Sequence, residues 1–137
     1  MRAALVDAAN SALDDGPVSA ETRALAGLQH RRDFLAAAKA AKAVTNSLIL
    51  QDRRRNDSSD AIRVGFTASK KVGNAVARNR AKRRMRALAR DLIPENGRAG
   101  HDYVLIARKD ATTDFPYEVL RADLLRALDR IKTPRKR

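Results

Sequence analysis

The sequence predicts an α/β (α+β) two-layer sandwich, with about three helices packed on a central sheet of about four strands in the order α-β-β-β-α-β-α. Three patterns carry this prediction. Between Ala61 and Ser69, Ile62, Val64, Phe66 and Ala68 alternate with Arg63, Gly65, Thr67 and Ser69, the period of a half-buried strand. Tyr103-Val104-Leu105-Ile106-Ala107 is an unbroken apolar run of strand length, as expected of a central strand covered on both faces. Leu120, Leu124, Leu128 and Ile131 recur at steps of four, four and three, which gives a terminal helix one apolar stripe.

The remaining elements follow in chain order. Residues 1–27 are Ala-rich and slightly acidic, broken by Asp14-Asp15-Gly16-Pro17, and are expected to form a mobile extension ahead of one folded domain over residues 28–131. Gln29 to Ala43 favours a short helix with Phe34, Leu35 and Ala38 on one face. The period changes from Val44, and Leu48-Ile49-Leu50-Gln51 reads as a strand. The polar run from Asp52 to Asp60 is expected to be a loop, a long hairpin connection between strands. A turn centred on Gly73 then leads into a helix that runs to about Leu92, where Pro94, Asn96 and Gly97 should stop it. Asp114 is placed to cap the last helix, with Pro116 in its first turn. Residues 132–137 form a basic tail.

A chain of 137 residues fits one domain of the usual ~100–200 residues and excludes a large multidomain enzyme. With 44% hydrophobic and 33% charged residues it has material for a core and is not compositionally disordered. The absence of Cys excludes a disulfide framework, a thiolate metal site and a Cys nucleophile, and fits a reducing compartment. No apolar run approaches the ~18 residues of a membrane span, and the N-terminus lacks a secretory pattern. The expectation is a cytoplasmic protein with no membrane partner.

The formal net charge is +13, and it is local. All 16 acidic residues lie outside Ala61–Arg90, which holds Arg63, Lys70, Lys71, Arg78, Arg80, Lys82, Arg83, Arg84, Arg86 and Arg90. Ten of the 29 bases therefore sit in one acid-free segment, and the other 19 nearly balance the 16 acids. A solvated surface normally mixes signs, so a polyanionic partner is the better explanation.

Most of these bases belong to the helix after Gly73. Ala77, Ala81, Met85, Leu88 and Leu92 form its apolar sector, while Arg78, Lys82, Arg86 and Arg90 follow one another at i,i+4. Each like-charged pair at that spacing costs about 0.2–0.5 kcal/mol, which counterion release offsets when a polyanion binds. Arginine also engages phosphate oxygens bidentately, as a Lys ammonium does not. A major-groove reading helix usually presents Asn, Gln, Ser or Thr among its bases, and this one offers only Asn79, so folded RNA suits it better than duplex DNA.

The stretch from Arg63 to Arg83, RVGFTASKKVGNAVARNRAKR, resembles the signature of the bacterial ribonuclease P protein component, centred on Arg78-Asn79-Arg80 with Lys82-Arg83 close behind. Arg31-Arg32-Asp33-Phe34 is similar to the family's first helix, and Gly100 to Arg108 to its later strand. The likeness covers about Leu28 to Ile131. It implies an accessory protein for a catalytic RNA that removes the 5′ leader from precursor tRNA, with magnesium ions held by the RNA and no catalytic residue, metal site or small-molecule cofactor on the protein. It further implies that Arg78, Asn79, Arg80, Lys82, Arg83 and Arg86, with Lys70 and Lys71, bind the catalytic RNA. Phe34, Ile49 and Gln51 would line a cleft for the single-stranded leader. Where some members of the family carry aromatic residues, this sequence has Ala38 and Gln51. The same resemblance implies a left-handed β-α-β crossover, of the type found in the second domain of a small-subunit ribosomal protein.

Other readings compete on specific features. A ribosomal protein or other non-catalytic RNA-binding module would show the same charge pattern, and a DNA-binding regulator is a third, weaker reading. His30 and His101 have no metal-ligand spacing and read as surface or loop residues. Asp57-Ser58-Ser59-Asp60 reads as turn chemistry rather than as a pair of working carboxylates. Lys70 to Asn74 lacks the glycine spacing of a phosphate-cradling loop. Gly65 reads as a strand glycine that permits a close approach.

Overall fold

A computed structural model describes residues 25–132. In chain order it comprises β1 (Leu25–Gly27), α1 (Arg31–Ala38), β2 (Ala41–Val44), β3 (Leu48–Arg54), β4 (Ile62–Thr67), a 3-10 turn (Lys70–Val72), α2 (Ala75–Asn96), β5 (His101–Ala107), α3 (Ala111–Asp114) and α4 (Tyr117–Lys132). The sheet order is β1-β4-β5-β3-β2. β1 and β5 both run parallel to β4, whereas β3 is antiparallel to both β5 and β2. The apolar run of residues 103–107 is indeed a central strand, and it joins the parallel and antiparallel halves. Because it lies between β3 and β4, the segment after β3 is not the expected hairpin, and Asp52–Arg54 belong to β3 itself.

Alternation along the strands sorts the core into two clusters. Leu48, Leu50, Ile62, Val64, Tyr103 and Leu105 face α2 and α4, which contribute Ala81, Met85, Leu88, Leu92, Leu120, Leu124 and Leu128. The intervening residues face the other way, where Val104 packs with Leu28 and with Ala37 of α1, against Phe34 and Ile106. The main sandwich is thus α2 and α4 on the sheet, and α1 covers a corner of the opposite face.

The structure departs from the sequence reading at several points. Leu25–Gly27, assigned to the extension, form an edge strand in register with Ile62–Val64; a strand of three residues is too short to show a period. Residues 1–24 and 133–137 lie outside the described residues, and Lys132, assigned to the basic tail, closes α4. The first helix is shorter than 29–43, because Ala41–Val44 extend to pair with Ile49–Asp52. Its buried face is Asp33 and Ala37 with Phe34 partly covered, while Leu35 is half-exposed and Ala38 exposed.

α2 continues through Pro94 to Asn96. Proline removes one N–H donor and crowds the preceding turn, but here it lies close to the helix end and its ring is buried. Asn96 Nδ2 and Gly97 N donate to the carbonyls of Leu92 and Ile93 at 2.7 Å each, completing the last turn. Asp114 ends α3 rather than capping α4. Pro116 precedes α4, and its carbonyl accepts from Val119 N and Leu120 N. His101 is not a loop residue. It opens β5 with its side chain 12% exposed, its Nδ1 hydrogen-bonded to Asp52 Oδ1 at 2.6 Å and its ring stacked on Tyr103.

Candidate nucleic-acid interface

Ser69 and Asn74 set the entry to the basic helix. The Ser69 hydroxyl accepts from Lys71 N, and Asn74 Oδ1 accepts from Ala77 N at 2.9 Å, capping α2. Between them Gly73 adopts φ +146°, a conformation open to glycine and strained for other residues. This turn holds Lys70 and Lys71 in solvent at the helix entrance.

On α2 the bases divide by what they touch. Arg78, Lys82 and Arg86 are half-buried along one stripe, and the Arg86 guanidinium lies 5.8 Å from the centroid of the Phe66 ring. Burial, and then the charges of Arg86 and Arg78, push the Lys82 ammonium below its ordinary value. Asn79 and Arg83 are exposed. Arg80 and Arg84 turn toward α3: Arg80 Nε donates to Thr113 O at 2.9 Å, and Arg84 donates to Thr112 O at 2.8 Å and Phe115 O at 2.7 Å. The sequence pattern counted all these bases alike, yet Arg80 and Arg84 also tie two helices together.

The second group of candidate residues lies on the α1 face of the sheet. Register places its side chains in three rows. Val44, Ile49, Ile106 and Thr67 form a partly open, largely apolar row. Lys42, Gln51, Val104 and Gly65 form the next. Arg53, Asp102 and Arg63 form the third. Phe34 of α1 covers the Gly65 end of the middle row, so close that a Cβ on Gly65 would lie 2.6 Å from its ring. Phe34, Ile49 and Gln51 therefore share one face, with Gly65, beneath the Phe34 ring, two strand spacings from Gln51, roughly 10 Å.

The charged row is closed around one carboxylate. Asp102 is fully buried and accepts from Arg63 Nε and Nη2 at 2.7 Å each and from Arg55 Nη1 at 2.9 Å, with Arg53 Nη1 at 3.5 Å. Asp33 of α1 pairs with Arg53 at 3.2 Å and Arg63 at 3.5 Å. The Asp102 hydrogen bond raises Arg63 above the ordinary guanidinium value. Asp57 accepts from Arg55 Nε and from Ser59 N, so it serves its own turn, as the sequence indicated. Among the described residues no group of three or more His, Asp or Glu side chains could hold a metal ion, and no helix is long and apolar enough to cross a membrane.

A family model described as Ribonuclease P matches residues 23–132. The chain belongs to the ribonuclease P protein family. It is 51% identical over 109 residues to the ribonuclease P protein component of Ruegeria pomeroyi, covering 79% of this chain and 87% of that one. The corresponding protein of Paramagnetospirillum magneticum is 47% identical over 108 residues, 76% of this chain and 80% of the relative. Among solved structures, the ribonuclease P protein of Thermotoga maritima superposes with a TM-score of 0.65 at 29% identity, over 77% of this chain and 97% of that one. That of Staphylococcus aureus gives 0.64 at 27%, over 77% and 94%. The mixed α/β fold is thus that of ribonuclease P proteins, and a reading of this chain as a ribosomal protein is not favoured.

Proposed function

We propose that this ribonuclease P protein binds the catalytic RNA of its holoenzyme through α2 and the 5′ leader of precursor tRNA on the α1 face of the sheet. The observation that carries the reading is the acid-free part of α2, residues 75–90, presenting Arg78, Lys82, Arg83 and Arg86, beside a turn that exposes Lys70 and Lys71. Asn79 adds a neutral donor and acceptor on the exposed side, and Arg80 contributes charge while its Nε is held by Thr113. Phosphate neutralisation supplies the affinity and releases counterions.

The leader is proposed to lie along the partly open row of the sheet, over Ile49 and past Gln51 toward Phe34. The Phe34 ring offers a stacking surface worth about 1–3 kcal/mol for one base. Gln51 is 8% exposed and offers an amide where an aromatic residue would stack. On this reading the RNA holds the magnesium ions and performs the hydrolysis, while the protein positions leader and RNA. The work is cytoplasmic, with precursor tRNA and the catalytic RNA as partners.

Reconstitution tests it. The purified chain mixed with its catalytic RNA and a precursor tRNA should restore cleavage at low magnesium, and the chain alone should cut nothing. Cleavage by the protein without RNA would overturn the assignment of chemistry to RNA. Copurification with ribosomal RNA instead of the ribonuclease P RNA would overturn the partner assignment.

A further inference from the structure

The half-buried stripe on α2 sets one primary amine between two guanidiniums. Arg78 and Arg86 stand four residues before and after Lys82, so their Cβ atoms lie roughly 5–6 Å from that of Lys82 on the same helix face. The cation–π contact with Phe66 positions Arg86. Arg78 has a buried Nε with no hydrogen-bond partner in the protein. No acid interrupts the sequence from Ala61 to Arg90, so the local field at this stripe is set by cations of the same helix.

We propose that Lys82 is an acylation site for acyl phosphates, with Arg78 and Arg86 receiving the phosphate group and Nζ of Lys82 acting as the nucleophile. Two guanidiniums four residues either side of the amine match a dianionic phosphate, and a phosphate held by them would bring its acyl carbonyl within reach of Nζ. Because burial and the two arginines lower the Lys82 ammonium, a larger share of it is free amine at neutral pH than for an ordinary lysine. Nζ attacks the carbonyl carbon and the C–O bond to phosphate breaks. The electron pair leaves with inorganic phosphate, whose charge the guanidiniums stabilise, and the nitrogen gives one proton to water. The product is a neutral acyl-lysine; nothing is oxidised or reduced.

Acylation removes the central charge of the stripe. On the proposed function, and resting on it, this weakens the grip on catalytic RNA, so the same helix would bind RNA and report acyl-phosphate supply.

The test begins with the full chain free of RNA, incubated with acetyl phosphate and followed residue by residue by mass spectrometry. Lys82 should be acetylated several-fold faster than the exposed Lys39 and Lys42, which lack such flanking arginines. Inorganic phosphate should slow Lys82 selectively. Arg86→Gln and Arg78→Gln should each bring its rate toward that of Lys39, with helical content unchanged by circular dichroism. With N-acetylimidazole, which carries no phosphate, the advantage should shrink. A Lys82 rate at or below that of Lys39 and Lys42 with acetyl phosphate would overturn the site. Chain acetylated at Lys82 should bind the catalytic RNA more weakly, with a salt slope smaller by about one. Unchanged affinity would overturn the regulatory consequence if Arg83→Ala still weakens binding. If Arg83→Ala is equally silent, the RNA-binding assignment of α2 fails instead.

Discussion

The ring of Phe34 occupies the space that a side chain on Gly65 would need: an added Cβ would stand 2.6 Å from both Cε1 and Cζ, and 3.1 Å from Leu28 Cβ. The glycine anticipated as a close-approach position in a strand therefore seats an aromatic ring on the sheet. Gly65→Ala must displace that ring or the strand. The expected cost is about 1–3 kcal/mol in chemical denaturation, together with weaker binding of leader-bearing precursor relative to mature tRNA. Phe34→Ala should relieve most of the stability cost of Gly65→Ala, so the double-mutant cycle should be strongly non-additive.

Asp102 supports three guanidiniums from a fully buried position. Asp102→Asn leaves Arg63 and Arg55 short of countercharge and should destabilise the chain by about 3–5 kcal/mol. Asp57→Asn, whose carboxylate is exposed to solvent screening, should cost far less. Urea titrations of the two variants compare them directly.

The arginines of α2 should separate into binders and struts. Arg83→Ala should weaken binding to catalytic RNA and lower its salt slope by about one, with stability unchanged. Arg84→Ala removes donors to Thr112 O and Phe115 O and should lower stability by about 1–3 kcal/mol while leaving the salt slope intact. Arg80→Ala should do both. Parallel measurements of thermal unfolding and salt-dependent binding distinguish the three.

Tyr117 donates to Asp91 Oδ2 at 2.7 Å, and partial burial together with this carboxylate pushes its phenol from 10.0 up to about 12. The folded chain thus holds this proton more tightly than the unfolded chain. Its contribution to stability is complete below pH 10 and disappears as the pH rises toward 12. Spectrophotometric titration should show a tyrosinate step near pH 12 that Tyr117→Phe abolishes. In that variant the fall in stability between pH 10 and 12 should be shallower.

Periodicity made the large elements readable. The apolar sector of α2 and the stripe of α4 are buried as their spacing required, with Ala77 and Ile131 only partly covered, because helix period and burial are one signal. What sequence could not carry is cross-strand pairing. Arg63 counted toward the acid-free charge, yet register sets it beside Asp102, 39 positions away. The same blindness hid the pairing of Leu25–Gly27 with β4 and the contact of His101 with Asp52. At the interface, the basic helix was legible from charge spacing, although the attachment of Arg80 and Arg84 to α3 was not. Phe34 and Gln51 entered through family resemblance, and only the sheet order brings them to one face. Lys42, Val44, Thr67 and Ile106 belong to that face as well; strand alternation with the correct pairing was the signal that would have found them.

The buried carboxylate at the head of β5 also orders events during synthesis. A ribosome delivers Arg53, Arg55 and Arg63, then the whole of α2, before it delivers Asp102. Because β5 lies between β3 and β4, neither half of the sheet can join the other until residues 101–107 have left the exit tunnel. For that interval the nascent chain is a polycation without its principal internal anion, so it is most open to stray polyanions shortly before it can fold.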